Sequence, residues 1–439
     1  MHGDTIVAIA TPAGRGAVGV VRISGPDALA VAGALCGRLP SPRRAALRSL
    51  RDASGEPLDQ ALVLVFTGPR SFTGEDVVEL HGHGAPVLLE GIVAAACAAG
   101  ARRAGPGEFT QRAYLNDKLD LAQAEAVADL VAASSLSAAR AARASLAGAF
   151  SKQVTALAEA VLDLRVQIEG ALDFSEEDID WLARGEVRPR LQAAREALAR
   201  LRAEAARGAR LAEGLTVVLA GAPNSGKSTL LNRLCGEDLA IVTEVPGTTR
   251  DPLVHDLLLD GMPLRLVDTA GLRATEDRVE REGVARSYRR LQQADLVLLL
   301  LDDTAEATPP LELAQGQQLL RVRNKCDLSG RPAGACADGS VRICARDGRG
   351  VEALLDAVRA LAGLHHGEVP FSARARHLQA LSDADGALGR AQAALDAEQD
   401  LDIAAAELAA AHHALGHITG GADNEDLLGA IFSRFCIGK

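Results

Sequence analysis

The residues with the most chemical content lie between Leu215 and Asp251, in LTVVLAGAPNSGKSTLLNRLCGEDLAIVTEVPGTTRD. A short apolar run from Thr216 to Ala220 leads into Gly221-Ala-Pro-Asn-Ser-Gly-Lys-Ser228, and LLNRL follows with helical character. Strand, glycine-rich turn and helix start in that order are what a Walker A loop requires. Backbone N–H groups of Asn224, Ser225, Gly226 and Thr229 are placed to cradle phosphate. Lys227 reaches its outer oxygens, and Ser228 is placed to hold Mg²⁺. Further on, Gly247-Thr-Thr-Arg-Asp251 offers Thr248 and Thr249, one of whose hydroxyls can complete the Mg²⁺ shell when a γ-phosphate is present. Asp268 ends an apolar run and can hold a Mg²⁺-bound water, while the Gly271 N–H can report the γ-phosphate. Asn324-Lys325-Cys-Asp327 then selects the base. Guanine presents adjacent N1–H and N2–H donors that one fixed carboxylate, Asp327, can accept together, and Asn324 can donate to the purine edge. Cys344-Ala345-Arg346 occupies the place where GTPases usually show Ser-Ala-Lys, and the Ala345 N–H is expected to meet guanine O6.

Hydrolysis needs a group that orients water. The residue after Asp268-Thr-Ala-Gly271 is Leu272, so the glutamine of small signalling GTPases has no counterpart. Glu276, Asp277, Glu280 and Glu282 follow in LRATEDRVEREGVARS. Each reads by pattern as a solvated helix charge, yet a carboxylate of this segment is the available candidate for the role. Asn224, together with carbonyls of the 243–248 loop, can coordinate a monovalent cation in place of an arginine finger, and Arg250 is nearby.

These groups need scaffolding. The chain has 439 residues, too many for one ordinary core, and 48% hydrophobic against 24% charged residues places it among soluble globular proteins. Aromatics at 3% and abundant alanine point to helices packed through small side chains. A net charge of -11 argues against indiscriminate coating of nucleic acid but leaves room for a local basic patch. Seven scattered cysteines without a CxxC suggest neither zinc nor disulfides, and fit a reducing cytosol. No signal peptide or membrane-spanning run is expected, and Cys436-Ile-Gly-Lys439 makes a poor prenylation box. Residues 1–118 alternate strands and helices, as in an α/β or α+β domain. Strands and a hairpin-like connection are expected over 4–25, a helix from Asp27 to Leu35, strands at Leu58–Phe66 and Val77–Leu80, and a helix over 86–99. Within these, Arg22 and Glu79 read by pattern as surface charges, and His81 and His83 as hydrogen-bonded loop residues rather than metal ligands. From 119 to 213 the spacing becomes helical, with no strong breaker before Gly148, and residues 368–439 return to that composition. The module at 214–367 thus sits between two halves of a helical bundle, or precedes a separate helical domain.

The chain resembles the MnmE/TrmE family of tRNA uridine-modifying GTPases over nearly its full length. DTIVAIATPAGRGAVGVVRISG, SFTGEDVVELHGHG, RAGPGEFTQRAYLNDKLDLAQAEAVADL, AIVTEVPGTTRD and the terminal FCIGK carry the resemblance, far more specifically than the GTPase boxes do. It implies a multidomain fold: an N-terminal α/β folate-binding and dimerising domain, a discontinuous α-helical bundle, and an inserted Ras-like P-loop G domain. Carried over, Arg22, Glu79, Lys118 and Lys439 match positions for 5-formyltetrahydrofolate. Asn224, Thr243, Val245 and Thr248 match a K⁺ site, Ser228 and Thr249 the Mg²⁺ ligands, and Glu280 the water-orienting glutamate. Arg250 and Asp251 fall in the matched switch segment, and Cys436 in the C-terminal signature. The implied activity is GTP hydrolysis driven by face-to-face G-domain dimerisation in the cytoplasm. It serves C5 modification of wobble uridine in tRNA with the FAD-bearing partner MnmG (GidA). Another K⁺-dependent GTPase, such as a ribosome-assembly factor, or a nucleotide-gated scaffold are the competing readings.

Overall fold

The computed structural model describes residues 3–173, 186–236, 254–259, 262–268, 294–305, 317–361, 369–397, 401–421, 425–433 and 435–438. The chain divides into two compact units. Met1–Ala128, Leu146–Leu191 and Gly386–Lys439 form one, and Asp129–Ser145 with Gln192–Asp385 form the other. Helices Val187–Glu213 and Ala375–Asp396 each contribute to both.

In the first unit, β1 (Ile6–Ile9), β2 (Gly16–Ser24), β3 (Ala46–Arg51), β4 (Pro57–Phe66), β5 (Val77–Gly84) and β6 (Arg102–Arg103) make one sheet in the order β3-β4-β5-β2-β1-β6. Neighbours are antiparallel except β1 and β6. Period-two alternation sorts the side chains: Ala61, Val63 and Val65 of β4 are buried, while Leu62 between them is exposed. Helices Ala28–Cys36 and Pro86–Ala98 cover the inward face and share its core with Val21, Ile23, Val78 and Leu80. The hairpin-like start and both helices fall where expected. Strand β5 runs on to Gly84, so His81 and His83 are strand residues rather than loop residues. Strands β3 and β6 and helix Glu108–Leu115 are additions that pattern alone does not show.

The helical segment of the same unit packs Ala149–Asp173 against Leu401–Thr419. Val154, Leu157, Val161, Leu164 and Ile168 form one apolar stripe, and Ala404, Leu408, Ala411, Leu415 and Ile418 the other. Asp120 and Gln123 form a reciprocal capping box at the start of Leu121–Ala132. The expected unbroken helix to Gly148 is interrupted after Ala132. Ser135 caps a new helix, Leu136–Leu146, by accepting the Ala138 N–H at 3.1 Å.

In the second unit, β7 (Leu215–Gly221), β8 (Val254–Leu259), β9 (Met262–Asp268), β10 (Leu296–Asp302), β11 (Gln318–Asn324), β12 (Gly334–Ala335) and β13 (Val341–Arg342) form a sheet in the order β12-β13-β11-β10-β7-β9-β8. The inner strands are parallel and the two outermost pairings antiparallel. Both faces are covered, since alternate residues of β10 enter two different cores. That is why Leu296 to Leu301 reads as an unbroken apolar run.

The first unit carries an unusual burial. Arg112, on helix Glu108–Leu115, is fully buried. Its Nη2 donates to Asp4 Oδ1 at 2.8 Å and Glu108 Oε1 at 3.1 Å, and its Nη1 to the Asp4 carbonyl and to Glu75. Arg102 closes the cluster on Asp4 and Glu108. A hydrogen bond from Arg102 holds the Asp4 carboxyl below its usual range. Burial pushes Glu108 up, but Arg102, the Gly105 N–H and Arg112 outweigh it and the net shift is downward. Removing Arg112 leaves Glu75 and Glu108, only 17% and 14% exposed, without their shared guanidinium, so Arg112→Met is expected to lower stability by about 3 kcal/mol in urea unfolding, and an unchanged midpoint would refute the role. Because both carboxylates are depressed in the folded state, their stabilisation is complete above roughly pH 5 and lost as pH falls through the acid range below it. Acid titration of wild type should show that loss.

Candidate functional site

Strand β7 ends at Gly221, whose φ of +149° lets the backbone pass 2.4 Å (measured from a would-be Cβ) from the Leu300 carbonyl. The chain then turns through Asn224 at φ +62° and Gly226 at φ +99° before helix Lys227–Gly236 begins. Helical and parallel-strand order thus aims a helix N-terminus and its free N–H groups at the carboxyl edge of the sheet. At that edge lies a cleft of about 740 Å³ lined by Asn224, Gly226, Lys227, Ser228, Thr229, Asn324, Lys325, Asp327, Leu328, Cys344 and Arg346.

The cleft is tied together by Asn324, at the end of β11 and 3% exposed. Its Nδ2 donates to the Ser225 carbonyl at 2.8 Å and its Oδ1 accepts the Ala345 N–H at 3.0 Å. A Cβ on Gly226 would stand 2.1 Å from that Nδ2, so only glycine admits the contact. The Ala345 N–H, expected to face the base, is engaged by Asn324 instead. Lys227 Nζ donates to the Gly221 and Ala222 carbonyls at 2.9 and 3.1 Å, which keeps the ammonium inside the loop. Lys325 has φ +70° and places Nζ 2.6 Å from Asp302 Oδ2. That contact, with Thr304, holds the Asp302 carboxyl down to about 2. Asp327 is exposed and free to meet a ligand's donors. Burial pushes the Cys344 thiol up. Arg346 holds the cleft's rim, its carbonyl accepting from Arg233 at 2.7 Å.

The donor set suits a nucleoside phosphate with Mg²⁺. The buried Ser225 hydroxyl lacks a hydrogen-bond partner among the described residues, and the turn is shaped so that no Cβ blocks its amides. Asp268 ends β9, in register with Leu219. Thr243, Val245, Thr248, Thr249, Arg250, Asp251, Gly271 and Glu280 lie outside the described residues. The exposed Leu328 lines the cleft, while Asp302 and Arg233 brace its Lys325 and Arg346; no sequence pattern marks these three.

A second cluster lies on the outer face of the N-terminal sheet. Arg22 and Glu79 are directly opposed on β2 and β5, and Arg22 Nε and Nη2 reach Glu79 Oε1 at 3.0 and 2.9 Å. The Arg22 guanidinium stands 5.8 Å from the Phe72 ring centroid and 5.6 Å from that of Phe109, within cation–π range of both. Phe72 belongs to a loop that Asn116 and Lys118 hold, through the Thr73 carbonyl at 2.7 Å and the Pro69 carbonyl at 2.9 Å. Lys118 thus holds the loop that carries Phe72. His81 Nε2 lies 3.0 Å from Glu79 Oε2, and His83 Nδ1 lies 2.7 Å from Asp59 Oδ1. Both histidines have carboxylate partners, as hydrogen-bonded residues should. Cys436 is exposed, its carbonyl accepting the Gly107 N–H, and Gly438 abuts the Ile9 carbonyl at the end of β1. Lys439 lies outside the described residues.

Two family models cover the chain. The GTP-binding protein TrmE N-terminus matches residues 5–118 and the MnmE helical domain residues 121–436. The chain belongs to the MnmE/TrmE family. The tRNA modification GTPase MnmE of Stutzerimonas stutzeri (strain A1501) is 49% identical over 450 residues, covering 99% of both chains. That of Pseudomonas aeruginosa (strain UCBPP-PA14) is 50% identical over 450 residues with the same coverage. Among solved structures, the FeoB G-domain from Methanococcus jannaschii aligns with 34% of this chain and 97% of its own, at 25% identity and a TM-score of 0.25. MnmE/TrmE membership makes the chain a multidomain protein with an N-terminal domain, a helical domain and an embedded Ras-like G domain.

Gly226→Ala should disrupt the loop and its bond to Asn324, weakening binding of a fluorescent GDP analogue by roughly a hundredfold while far-UV circular dichroism is unchanged. Binding at wild-type strength would show that the Gly226–Asn324 contact is dispensable.

Proposed function

We propose that this protein hydrolyses GTP as part of C5 modification of wobble uridine in tRNA. The observation that carries the proposal is the guanine-type cleft, with Asp327 exposed beside a phosphate loop, in a chain that matches tRNA-modification GTPases end to end. Ser228 and Thr249 would hold Mg²⁺, with Asp268 acting through a bound water. Asn224, Thr243, Val245 and Thr248 would hold K⁺, which supplies the positive charge that an arginine finger gives elsewhere. Glu280 would orient the attacking water, and Arg250 and Asp251 would complete the switch. Arg22, Glu79, Lys118 and Lys439 would bind 5-formyltetrahydrofolate or a related one-carbon tetrahydrofolate, which supplies the carbon added to the base. The half-buried Arg22–Glu79 pair suits a pterin, whose adjacent N–H groups need an oriented carboxylate. The four-part division at residues 118, 213 and 367, the homodimer, the MnmG (GidA) partner and a cytoplasmic location belong to the same reading. It agrees with the finding that no helix among the described residues is long and apolar enough to cross a membrane.

Exchanging the Asp327 carboxylate for an amide supplies a donor where xanthine carries a carbonyl. Asp327→Asn should thus weaken GTP by about 3 kcal/mol and strengthen XTP, as read by competitive nucleotide titration. Equal loss for both nucleotides would remove Asp327 from base selection. Replacing K⁺ by Na⁺ should slow GTP turnover at least tenfold, and Glu280→Ala should lower kcat about a hundredfold with little change in KM. Turnover indifferent to the cation would end the K⁺ proposal. The functional test is wobble-uridine modification reconstituted with the flavoprotein partner, comparing GTP with a non-hydrolysable analogue.

A further inference from the structure

We infer that His81 is a positioning residue for the Arg22–Glu79 site, holding the Glu79 carboxylate so that its remaining acceptor position faces an N–H donor of the ligand. The inference rests on reading this site as the folate site.

A carboxylate offers about four lone-pair positions. Arg22 takes two of them, both on Oε1, through Nε at 3.0 Å and Nη2 at 2.9 Å. His81 Nε2 takes one on Oε2 at 3.0 Å. One position on Oε2 is left for a ligand, and its direction is set jointly by the guanidinium and the imidazole. Arg22 alone, gripping a single oxygen, leaves the carboxylate free to pivot about that oxygen. His81 removes that freedom from the other side. The three side chains are 23%, 17% and 29% exposed, so they remain within reach of a bound molecule.

Strand geometry gives His81 its place. Residues 79 and 81 are two apart on β5 and so share a face. His81 pairs with Leu62 on β4 and Val20 on β2, while Glu79 pairs with Leu64 and Arg22. This is the sheet face opposite Val78 and Leu80, whose side chains enter the core beneath the two helices. A histidine wanted only for packing belongs on that inner face. On the outer one, its defined contact is the carboxylate. Gly82, which follows, must be small because Asp59 Oδ2 would lie 2.5 Å from its Cβ, and this fixes the strand path on which His81 rides. A neutral imidazole carrying its proton on Nε2 makes the contact as a donor, so a side-chain amide reaching the same position can replace it.

The test is a calorimetric titration of 5-formyltetrahydrofolate into the full-length protein, comparing wild type with His81→Ala and His81→Gln. His81→Ala should weaken binding roughly tenfold, and His81→Gln should restore it to within about threefold of wild type. Circular dichroism on each variant separates local effects from misfolding. Alanine binding as tightly as wild type, or glutamine as weakly as alanine with the fold intact, overturns the inference. Wild type that takes up no folate overturns the folate reading itself, and His81's assignment falls with it.

Discussion

One side-chain amide joins the loops on which nucleotide recognition depends. Asn324 donates to the carbonyl of Ser225 in the phosphate loop and accepts the N–H of Ala345 in the base loop. Both bonds are buried, where a lost partner leaves a polar group uncompensated and costs about 1–3 kcal/mol. The phosphate loop and the base loop are thereby held by the protein's own bonds, and the conformational freedom lost on binding is correspondingly small. Gly226 exists in that form because the amide approaches within the space a Cβ would fill. Lys325, held on Asp302, locks the third side.

Much of this was legible, and for a physical reason. A phosphate cradle made of main-chain amides needs glycines, a lysine and a hydroxyl at fixed offsets, so Gly221 to Ser228 announces itself. The parallel strand Leu296–Asp302 is legible too, because burial on both faces leaves no polar alternation. The interruption of the helix after Ala132 is not. A serine cap at Ser135 in an alanine-rich stretch costs propensity little and leaves no glycine or proline to mark it. Strand β3 is likewise hidden: ALRSLR lies at the sheet's edge with half of its side chains exposed, and its hydrophobic pattern is correspondingly weak.

Interactions between side chains distant in sequence are the least legible. Asn324 reads as a donor to a base, and only tertiary geometry shows that both ends of its amide are committed to the protein. Arg22 and Glu79 read as surface charges, because nothing local says that β2 and β5 place them opposite each other or that Phe72 and Phe109 flank the guanidinium. Arg112 sits in a helix whose charges suggest a solvated surface, yet it is fully buried among Asp4, Glu75 and Glu108. Family resemblance, by contrast, draws attention to Arg22 and Glu79 without supplying the contacts that make them a site.

The two sites achieve preorganisation by different means, and the difference has consequences for their tolerance of change. In the nucleotide cleft, main-chain groups do much of the binding, and side chains such as Asn324 and Lys227 serve to hold loops in shape. Side chains that neither meet the ligand nor brace a loop should therefore be replaceable there without loss. On the outer face of the N-terminal sheet the proposed binding groups are themselves side chains, standing on strands whose register fixes their spacing. The backbone there supplies only distance and direction. A conservative exchange such as arginine to lysine at position 22 would lose the two-point grip on one carboxylate oxygen and weaken the cation–π contacts with Phe72 and Phe109. Tolerance in the first site is thus set by main-chain conformation, and in the second by the identity of each side chain.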